Sequence, residues 1–277
     1  MTMELFTPTG RPAVNNRWPR IIHLALFVLF LASAAAWGTR LLNLEFAQEW
    51  RWTEATCLLL ATASTVVALA RRLPAQNVLL ACGLIALMGG AVQTLGAATG
   101  IPFGAHTYTD SAGWRVFDIL PWPMPLMWVV VILNARGVAR LILRPWRMSK
   151  TYGFRVIGLT CVLAVAFDFA LEPFASQVNR FWIWQMPTAV PAWHTAPWSN
   201  FLGWLTTSLL ILAFVTPGLI NKKPVRHPPD YHPLDVWLVL NLIFAAGTAT
   251  HGLWLATGFT LVVSAIAALF AVRGAKW

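Results

Sequence analysis

Charged residues are scarce in this chain, and their scarcity excludes most soluble folds. Only 11% of the 277 residues are Asp, Glu, Lys or Arg, whereas a soluble domain carries about 25%. Hydrophobic residues make up 58% of the sequence, and apolar runs of roughly 20 residues recur along its length. These features predict an all-α polytopic membrane protein, with residues 1–277 in one integral membrane domain.

Motifs for cofactor chemistry are also missing. The sequence contains no glycine-rich phosphate loop, no dinucleotide-binding fingerprint, no His-Glu-x-x-His zinc motif and no Gly-x-Ser-x-Gly elbow. Cys57, Cys82 and Cys161 lie inside apolar runs without metal-ligand spacing, so we interpret them as small core residues. We therefore predict no metal and no cofactor, and chemistry that needs only an acid, a base, water and an apolar cavity.

The apolar runs predict eight membrane-spanning helices. They lie near residues 21–38, 53–70, 77–98, 121–143, 154–172, 198–220, 234–250 and 254–272. The first run also resembles a signal peptide, because the small residues from Ser33 to Ala36 fit a cleavage site. We expect a retained helix instead, because the polar lead at residues 1–20 is long and the rest of the chain is multispan.

Basic residues fall mainly on one side of this arrangement. The following 16 of the 20 Lys and Arg residues share that side: Arg11, Arg17, Arg20, Arg71, Arg72, Arg136, Arg140, Arg144, Arg147, Lys150, Arg155, Lys222, Lys223, Arg226, Arg273 and Lys276. The positive-inside rule predicts that this side, with both termini and the polar lead, is cytoplasmic in a cell (inner) membrane. The same rule accounts for the net charge of +10, so we predict no nucleic-acid binding.

Acidic residues gather on the opposite side. They are 7 of the 10 in the chain, namely Glu45, Glu49, Glu54, Asp110, Asp118, Asp168 and Glu172. Either these residues make short outer loops soluble, or the outer mouth of the protein holds a carboxylate-rich site. Both explanations remain open at this point.

Asp168 and Glu172 are carboxylates that the predicted topology places at membrane depth. Their spacing of four residues puts them on one helix face, and Asp168 lies roughly 21 Å along its span at 1.5 Å per residue. Two close carboxylates in a dry environment cannot both ionise cheaply, so one is expected to keep a proton and act as an acid. The alternative is that they pair with Arg180 or Arg115, or cap neighbouring backbone.

The segment after this pair is rich in proline and tryptophan. Pro173 is expected to kink or end the helix and to free backbone carbonyls near the carboxylates. Trp182 and Trp184 either line a pocket, where an indole face can stabilise a cation, or belong to an interfacial tryptophan belt. Trp193 is interpreted as a belt residue.

Further side chains on the same side can complete a site. Asn200 and Trp204 lie one turn apart on the sixth predicted span, and Asn200 either joins helices or positions a water. His106, Tyr108 and Asp118, in the connector between spans three and four, offer proton-transfer groups on this side. The alternative for His106 is a solvated loop histidine.

Several of these residues stand in patterns that resemble a known family. The patterns are Asp168-x-x-Leu171-Glu172-Pro173, Trp182-x-Trp184, Ser199-Asn200-Phe201-x-Gly203-Trp204 and, upstream, Gly100-Ile101-Pro102-Phe103-Gly104 with Tyr108-Thr109, Pro125 and Trp128. They resemble the membrane-embedded carotenoid biosynthesis family, which includes carotenoid 1,2-hydratases and bisanhydrobacterioruberin hydratases. The resemblance covers about residues 96–205. It departs at Ala105 and His106, where the family more often carries Glu and Tyr.

The resemblance implies hydration of the terminal C1,2 double bond of a linear carotenoid, which gives a tertiary alcohol. One of Asp168 and Glu172 is then the acid and the other the base that holds water. The implied roles of the remaining residues are cation stabilisation by Trp182, Trp184 and Trp204, water positioning by Asn200, and lesser contributions from His106, Tyr108 and Asp118. Expected partners are a bilayer-dissolved linear carotenoid, membrane lipid and other carotenoid-pathway enzymes.

Two alternatives remain open. A carotenoid cyclase or isomerase would form the same cation but would not capture water. A carrier or binding protein for an apolar pigment or lipid would need the aromatic cavity but not the carboxylate pair.

Overall fold

The structure is a computed structural model that describes residues 18–42, 52–185, 191–220 and 228–277. Its helices are α1 (Trp18–Leu41), α2 (Thr53–Ala70), α3 (Ala75–Thr99), α4 (Pro123–Ile142), α5 (Tyr152–Pro173), α6 (Trp198–Val215), α7 (His232–Thr250) and α8 (Trp254–Ala275). All eight are long and apolar enough to cross a membrane. The predicted all-α, multi-pass arrangement is therefore confirmed, and a 3-10 turn at Thr216–Leu219 completes the sixth predicted span.

Some residues used to predict the orientation lie outside the described part of the chain. They are Arg11, Arg17, Glu45, Glu49, Lys222, Lys223 and Arg226, together with residues 1–17 of the polar lead.

The connectors contain three short antiparallel ribbons. The strands are β1 (His106–Tyr108), β2 (Arg115–Val116), β3 (Leu120–Pro121), β4 (Trp182–Trp184), β5 (Ala192–Trp193) and β6 (Ala196–Pro197). β1 pairs with β4, β2 with β3, and β5 with β6. The β1–β4 ribbon joins the connector before α4 to the connector after α5, so it ties two distant parts of the chain together.

Helix α4 forms the centre of the bundle. Residues 129–133 of this helix are buried without interruption. Because five consecutive helical residues point in all directions around the axis, the helix is enclosed on every side there. It contacts α2, α3, α5, α7 and α8. On the α3 side, Gly89 leaves room for the ring of Trp128, which would overlap with any Cβ at that position.

Polar contacts between loops define one end of the bundle, which we call the basic end. The ring nitrogens of His23 in α1 and His232 in α7 lie 3.2 Å apart, and Arg71, after α2, lies 2.9 Å from the His23 ring. Arg72 forms an ion pair with Asp230, before α7, at 3.1 Å. The start of α1, the α2–α3 loop and the start of α7 therefore lie together.

The last turn of α8 lies at the same end. Gly274 approaches the carbonyl groups of Leu141 and Ile142, at the end of α4, so closely that a Cβ would overlap them. The first and last described helical turns thus share the basic end with the loops that carry most basic residues. The other end, which carries β1–β6, is called the site end.

Candidate active site

Asp168 and Glu172 lie in the last two turns of α5, at the site end. Their side chains are inside the protein, with 0% and 2% of the residue surface exposed. The ion pairs found among the described residues are Arg40–Glu54, Arg72–Asp230 and Arg115–Asp110. The predicted alternative of pairing with Arg115 or Arg180 is therefore not observed, because Arg115 binds Asp110 and Arg180 is exposed.

Asn200, in the first turn of α6, joins the two carboxylates. Its side-chain Nδ2 group donates to Asp168 Oδ2 at 2.6 Å and to Glu172 Oε1 at 3.0 Å. Such bonds are stronger when the acceptor is ionised. Asn200 thus connects α6 to α5, as one of its two interpretations expected, and it also holds both carboxylates in one hydrogen-bonded unit.

Two tryptophans bind the second oxygen of Glu172. The indole Nε1 groups of Trp182 and Trp184 donate to Glu172 Oε2 at 3.2 Å and 3.0 Å. Glu172 therefore accepts three N–H groups. Asp168 accepts one, and its Oδ1 atom is buried with no hydrogen-bond partner among the described residues.

The β1–β4 ribbon explains how the two tryptophans reach the same carboxylate. Successive side chains of a strand point to opposite faces, so Trp182 and Trp184 share one face while Ile183, between them, is exposed. The register places His106 opposite Trp184 and Tyr108 opposite Trp182. All four side chains therefore lie on the face of the ribbon that covers the carboxylates.

Pro173 has the predicted effect on α5. The α-helical part ends at this residue and widens into a π turn at Phe174–Val178. Proline lacks the N–H that would bond to the carbonyl four residues earlier. That carbonyl, of Phe169, instead accepts from the indole Nε1 of Trp193 at 3.0 Å. Trp193 thus supports the helix end that carries Glu172, a role beyond that of a belt residue.

A small pocket lies directly against Glu172, and we call it the site pocket. It is lined by Glu172, Asn200, Trp182, Trp184, Trp204, His106, Tyr108, Gln93, Phe103, Met124 and Met127. Its volume of about 10 Å³ is close to the smallest space that holds one water molecule. The pocket brings together seven of the nine predicted residues.

Asp168 and Asp118 are the two predicted residues that do not line this pocket. Asp168 lies beside it, bonded to its Asn200 wall. Asp118 is exposed in the turn between β2 and β3, with a φ of 59°. The structure therefore does not bring Asp118 into the cluster.

His106 and Tyr108 present uncharged groups to the site pocket. Burial lowers the pKa of His106, although its bond to the Gly104 carbonyl opposes this shift. Because that carbonyl, 2.9 Å from Nδ1, can only accept, Nδ1 carries the proton and Nε2 is an acceptor. Burial, with the charge of Glu172 adding to it, raises the pKa of Tyr108. Tyr108 therefore stays protonated, and its hydroxyl donates a hydrogen bond to Gln93 Oε1 at 2.9 Å.

Gln93, Phe103, Met124 and Met127 are site residues that the sequence reasoning missed. Gln93 carried a usable signal, because a long polar side chain inside an apolar run is costly in a membrane and commonly functional. Phe103 stood in the Gly100–Gly104 pattern of the family resemblance but was given no role. Met124 and Met127 are apolar, and nothing in their local sequence separates them from ordinary core residues. Among the described residues, no three His, Cys, Asp or Glu side chains cluster closely enough to hold a metal ion.

Comparison with known proteins identifies a family that this chain matches. The family model described as "Carotenoid biosynthesis protein" matches residues 53–267. A bisanhydrobacterioruberin hydratase of Haloarcula japonica is 29% identical over 136 residues, which cover 49% of this chain and 44% of that protein. The match thus spans less than half of the relative. No solved structure matches the chain.

Proposed function

The chain belongs to the carotenoid biosynthesis protein family, and from this premise we propose that it hydrates the terminal C1,2 double bond of a linear carotenoid. The product is a tertiary alcohol. The proposal rests on one observation above all: two buried carboxylates share Asn200 beside a pocket with room for about one water. Hydration needs an acid, a base and a water. The two carboxylates can serve as acid and base, and the pocket can hold the water.

The proposed reaction begins with protonation. Two adjacent carboxylates without a cationic partner are costly when both are ionised, so the pair holds one proton between them. That proton adds to C2, the less substituted alkene carbon, and leaves a tertiary cation at C1. The indole faces of Trp182, Trp184 and Trp204 stabilise the cation.

Water capture completes the cycle. The water in the site pocket attacks C1 and passes one proton to the carboxylate pair. One water is added to the substrate, and the pair regains the proton it gave. The neutral His106 Nε2, together with Asn200, is suited to orient this water, because both residues line the pocket.

We assign different roles to the two carboxylates. Glu172 lines the site pocket and Asp168 does not, so Glu172 exchanges protons with the substrate and the water. Three N–H donors stabilise its carboxylate form once the proton has left. Asp168 acts through Asn200 as a positioning residue that shares the charge of the pair.

Expression in a host that makes lycopene or γ-carotene tests this proposal. The extracted pigments are expected to gain one water in mass. Incubating isolated membranes with unlabelled lycopene in heavy-oxygen water should label the new hydroxyl group, and the same incubation in deuterium oxide should label C2. A cyclase or isomerase would leave the mass unchanged, and a carrier would leave the pigment itself unchanged. An unaltered pigment profile, with the protein present in the membrane, would overturn the proposal.

The indole donors allow a separate prediction. The Trp184→Phe variant keeps an aromatic ring but loses one N–H bond to Glu172. Because a hydrogen bond to a charged group contributes about 1.5–3 kcal/mol, hydration is expected to slow roughly ten- to a hundredfold. Initial rates in isolated membranes measure the effect. Trp237→Phe is the matched control, because the Trp237 indole is buried, makes no hydrogen bond among the described residues and does not line the site pocket, and this variant should retain most of the activity.

We also propose that the basic end faces the cytoplasm, which places the active site toward the non-cytoplasmic side of the cell (inner) membrane. The excess of Lys and Arg in the loops of that end supports this orientation. A reporter enzyme that works only outside the cytoplasm, fused after Trp277, should be inactive. Activity of this fusion would reverse the assignment.

A further inference from the structure

A second cavity lies beside the site pocket, and we call it the apolar chamber. Its volume is about 200 Å³. Helices α4, α5 and α7 contribute Val131, Phe167, Leu171, Leu240 and Phe244 to its walls. An engineered apolar cavity of roughly 150 Å³ stays dry and binds benzene, so the apolar chamber has room for a hydrocarbon group of at least that size.

The charged group on the wall of the chamber is already engaged. Glu54 forms an ion pair with Arg40 at 2.5 Å and accepts from Asn179 Nδ2 at 3.1 Å. The chamber therefore suits a hydrocarbon, whereas the site pocket suits a water. The alkene and the water, which are the two reactants of a hydration, would therefore occupy different cavities.

Three residues line both cavities and form the partition between them: Met124, Met127 and Trp182. Trp182 is held by its indole bond to Glu172. Methionine has three rotatable side-chain bonds and fits irregular spaces. Met124 and Met127 are therefore the members of the partition whose side chains can move without breaking this hydrogen bond.

We propose that the apolar chamber binds the terminal isoprenoid segment of a linear polyene, and that Met124 and Met127 form a movable gate between this segment and the site pocket. The inference rests on the proposed hydration. While the gate is closed, the alkene and the water occupy separate cavities. When the methionine side chains move aside, the alkene carbon meets Glu172 and a site that holds about one water.

The gate has a chemical consequence. A tertiary cation loses a proton or captures any nucleophile within reach, so the amount of water at the site decides the product. A polar pocket for about one water beside a mainly apolar chamber favours a single capture at C1. The water available to the cation, rather than the identity of the acid, then decides whether the product is hydrated or cyclised.

Filling the chamber tests where the substrate binds. In Val131→Phe, a larger side chain enters the chamber from α4. Val129→Phe is the matched control, because Val129 is equally buried on the same helix and lines neither described cavity. With purified full-length protein in lipid nanodiscs, Val131→Phe is expected to weaken lycopene binding, and to raise the KM for its hydration, by about tenfold or more. Equal effects of both variants, or no effect of Val131→Phe, would contradict the proposal that the substrate binds in the apolar chamber.

Stiffening the gate tests its movement. The Met127→Ile variant introduces a branched side chain with restricted rotation, whereas Met127→Leu keeps a more flexible one. We expect Ile to lower kcat several-fold with lycopene binding unchanged, and Leu to retain most of the turnover. Equal kcat values for the two variants would contradict the proposal that the Met127 side chain must move during the reaction.

A photoreactive linear isoprenoid with a diazirine at its end separates this inference from the proposed reaction. Crosslinks to the α4 peptide that contains Met124 and Val131 support the chamber even if the wild-type protein shows no hydration, in which case only the proposed function fails. Crosslinks confined to lipid-facing residues such as Leu24 or Val28 would overturn the chamber while leaving a measured hydration intact.

Discussion

The Glu172→Gln variant is expected to hydrate linear carotenoids roughly 10²–10⁴ times more slowly than the wild-type protein, which is the usual contribution of a positioned proton donor. Glutamine has nearly the same shape, and its carbonyl oxygen can still accept an indole N–H group. It cannot give a proton to the alkene, nor take one from the water. The loss should therefore appear in kcat, while the affinity for lycopene stays close to that of the wild type.

Two other carboxylate variants show whether the loss is specific to Glu172. Asp235→Asn changes a carboxylate in the first turn of α7, which starts at the basic end, and it should leave hydration unchanged. Asp168→Asn should slow the reaction less than Glu172→Gln, because Asp168 does not line the site pocket. A larger loss in Asp168→Asn would reverse the two roles. Undiminished hydration by Glu172→Gln would remove this residue from the chemistry.

Most of the fold follows from the sequence because a bilayer leaves few choices. Backbone groups in hydrocarbon must be hydrogen-bonded within their own segment, so an apolar run near 20 residues long becomes a helix. The second span illustrates this, because its predicted and observed bounds both lie at residues 53 and 70. The ribbons were not predicted, because strands of two or three residues leave almost no periodic signal.

Half of the site also follows from local spacing. Asp168 and Glu172 are four residues apart on a helix, and Trp182 and Trp184 are two residues apart on a strand, so each pair shares a face by geometry alone. The hydrogen bonds of the two indoles to Glu172 could not be predicted from this spacing alone. They depend on the register that pairs β4 with β1, which is fixed by residues more than 70 positions away.

The residues that escaped prediction depend on how distant helices pack. Gln93 on α3 meets Tyr108 across the site end, and Met124 lies on α4 between two cavities. Neither relation is encoded in the local sequence. Asp118 failed to join the site for a local reason, because the β2–β3 turn gives it a positive φ and leaves its side chain exposed.

The Asn200→Leu variant is expected to lose roughly 10²–10⁴-fold in hydration rate, because two charge-assisted hydrogen bonds of about 1.5–3 kcal/mol each disappear together. Asp168 would lose the one donor that it has among the described residues. The two carboxylates would then no longer act as one unit, since no other described residue is hydrogen-bonded to both of them. Rates in membranes, at matched protein levels, measure the loss.

A buried asparagine elsewhere in the bundle controls for the change in packing. Asn241 on α7 is 1% exposed, donates to the Trp237 carbonyl at 2.7 Å and lines neither described cavity. Asn241→Leu should therefore keep most of the activity. If Asn200→Leu were as active as this control, the bridge would be dispensable and Glu172 would act alone. A loss specific to Asn200→Leu, with both variants equally stable to heat in detergent, means that hydration depends on the Asn200 amide, which holds the two carboxylates together and lines the site pocket without itself gaining or losing a proton.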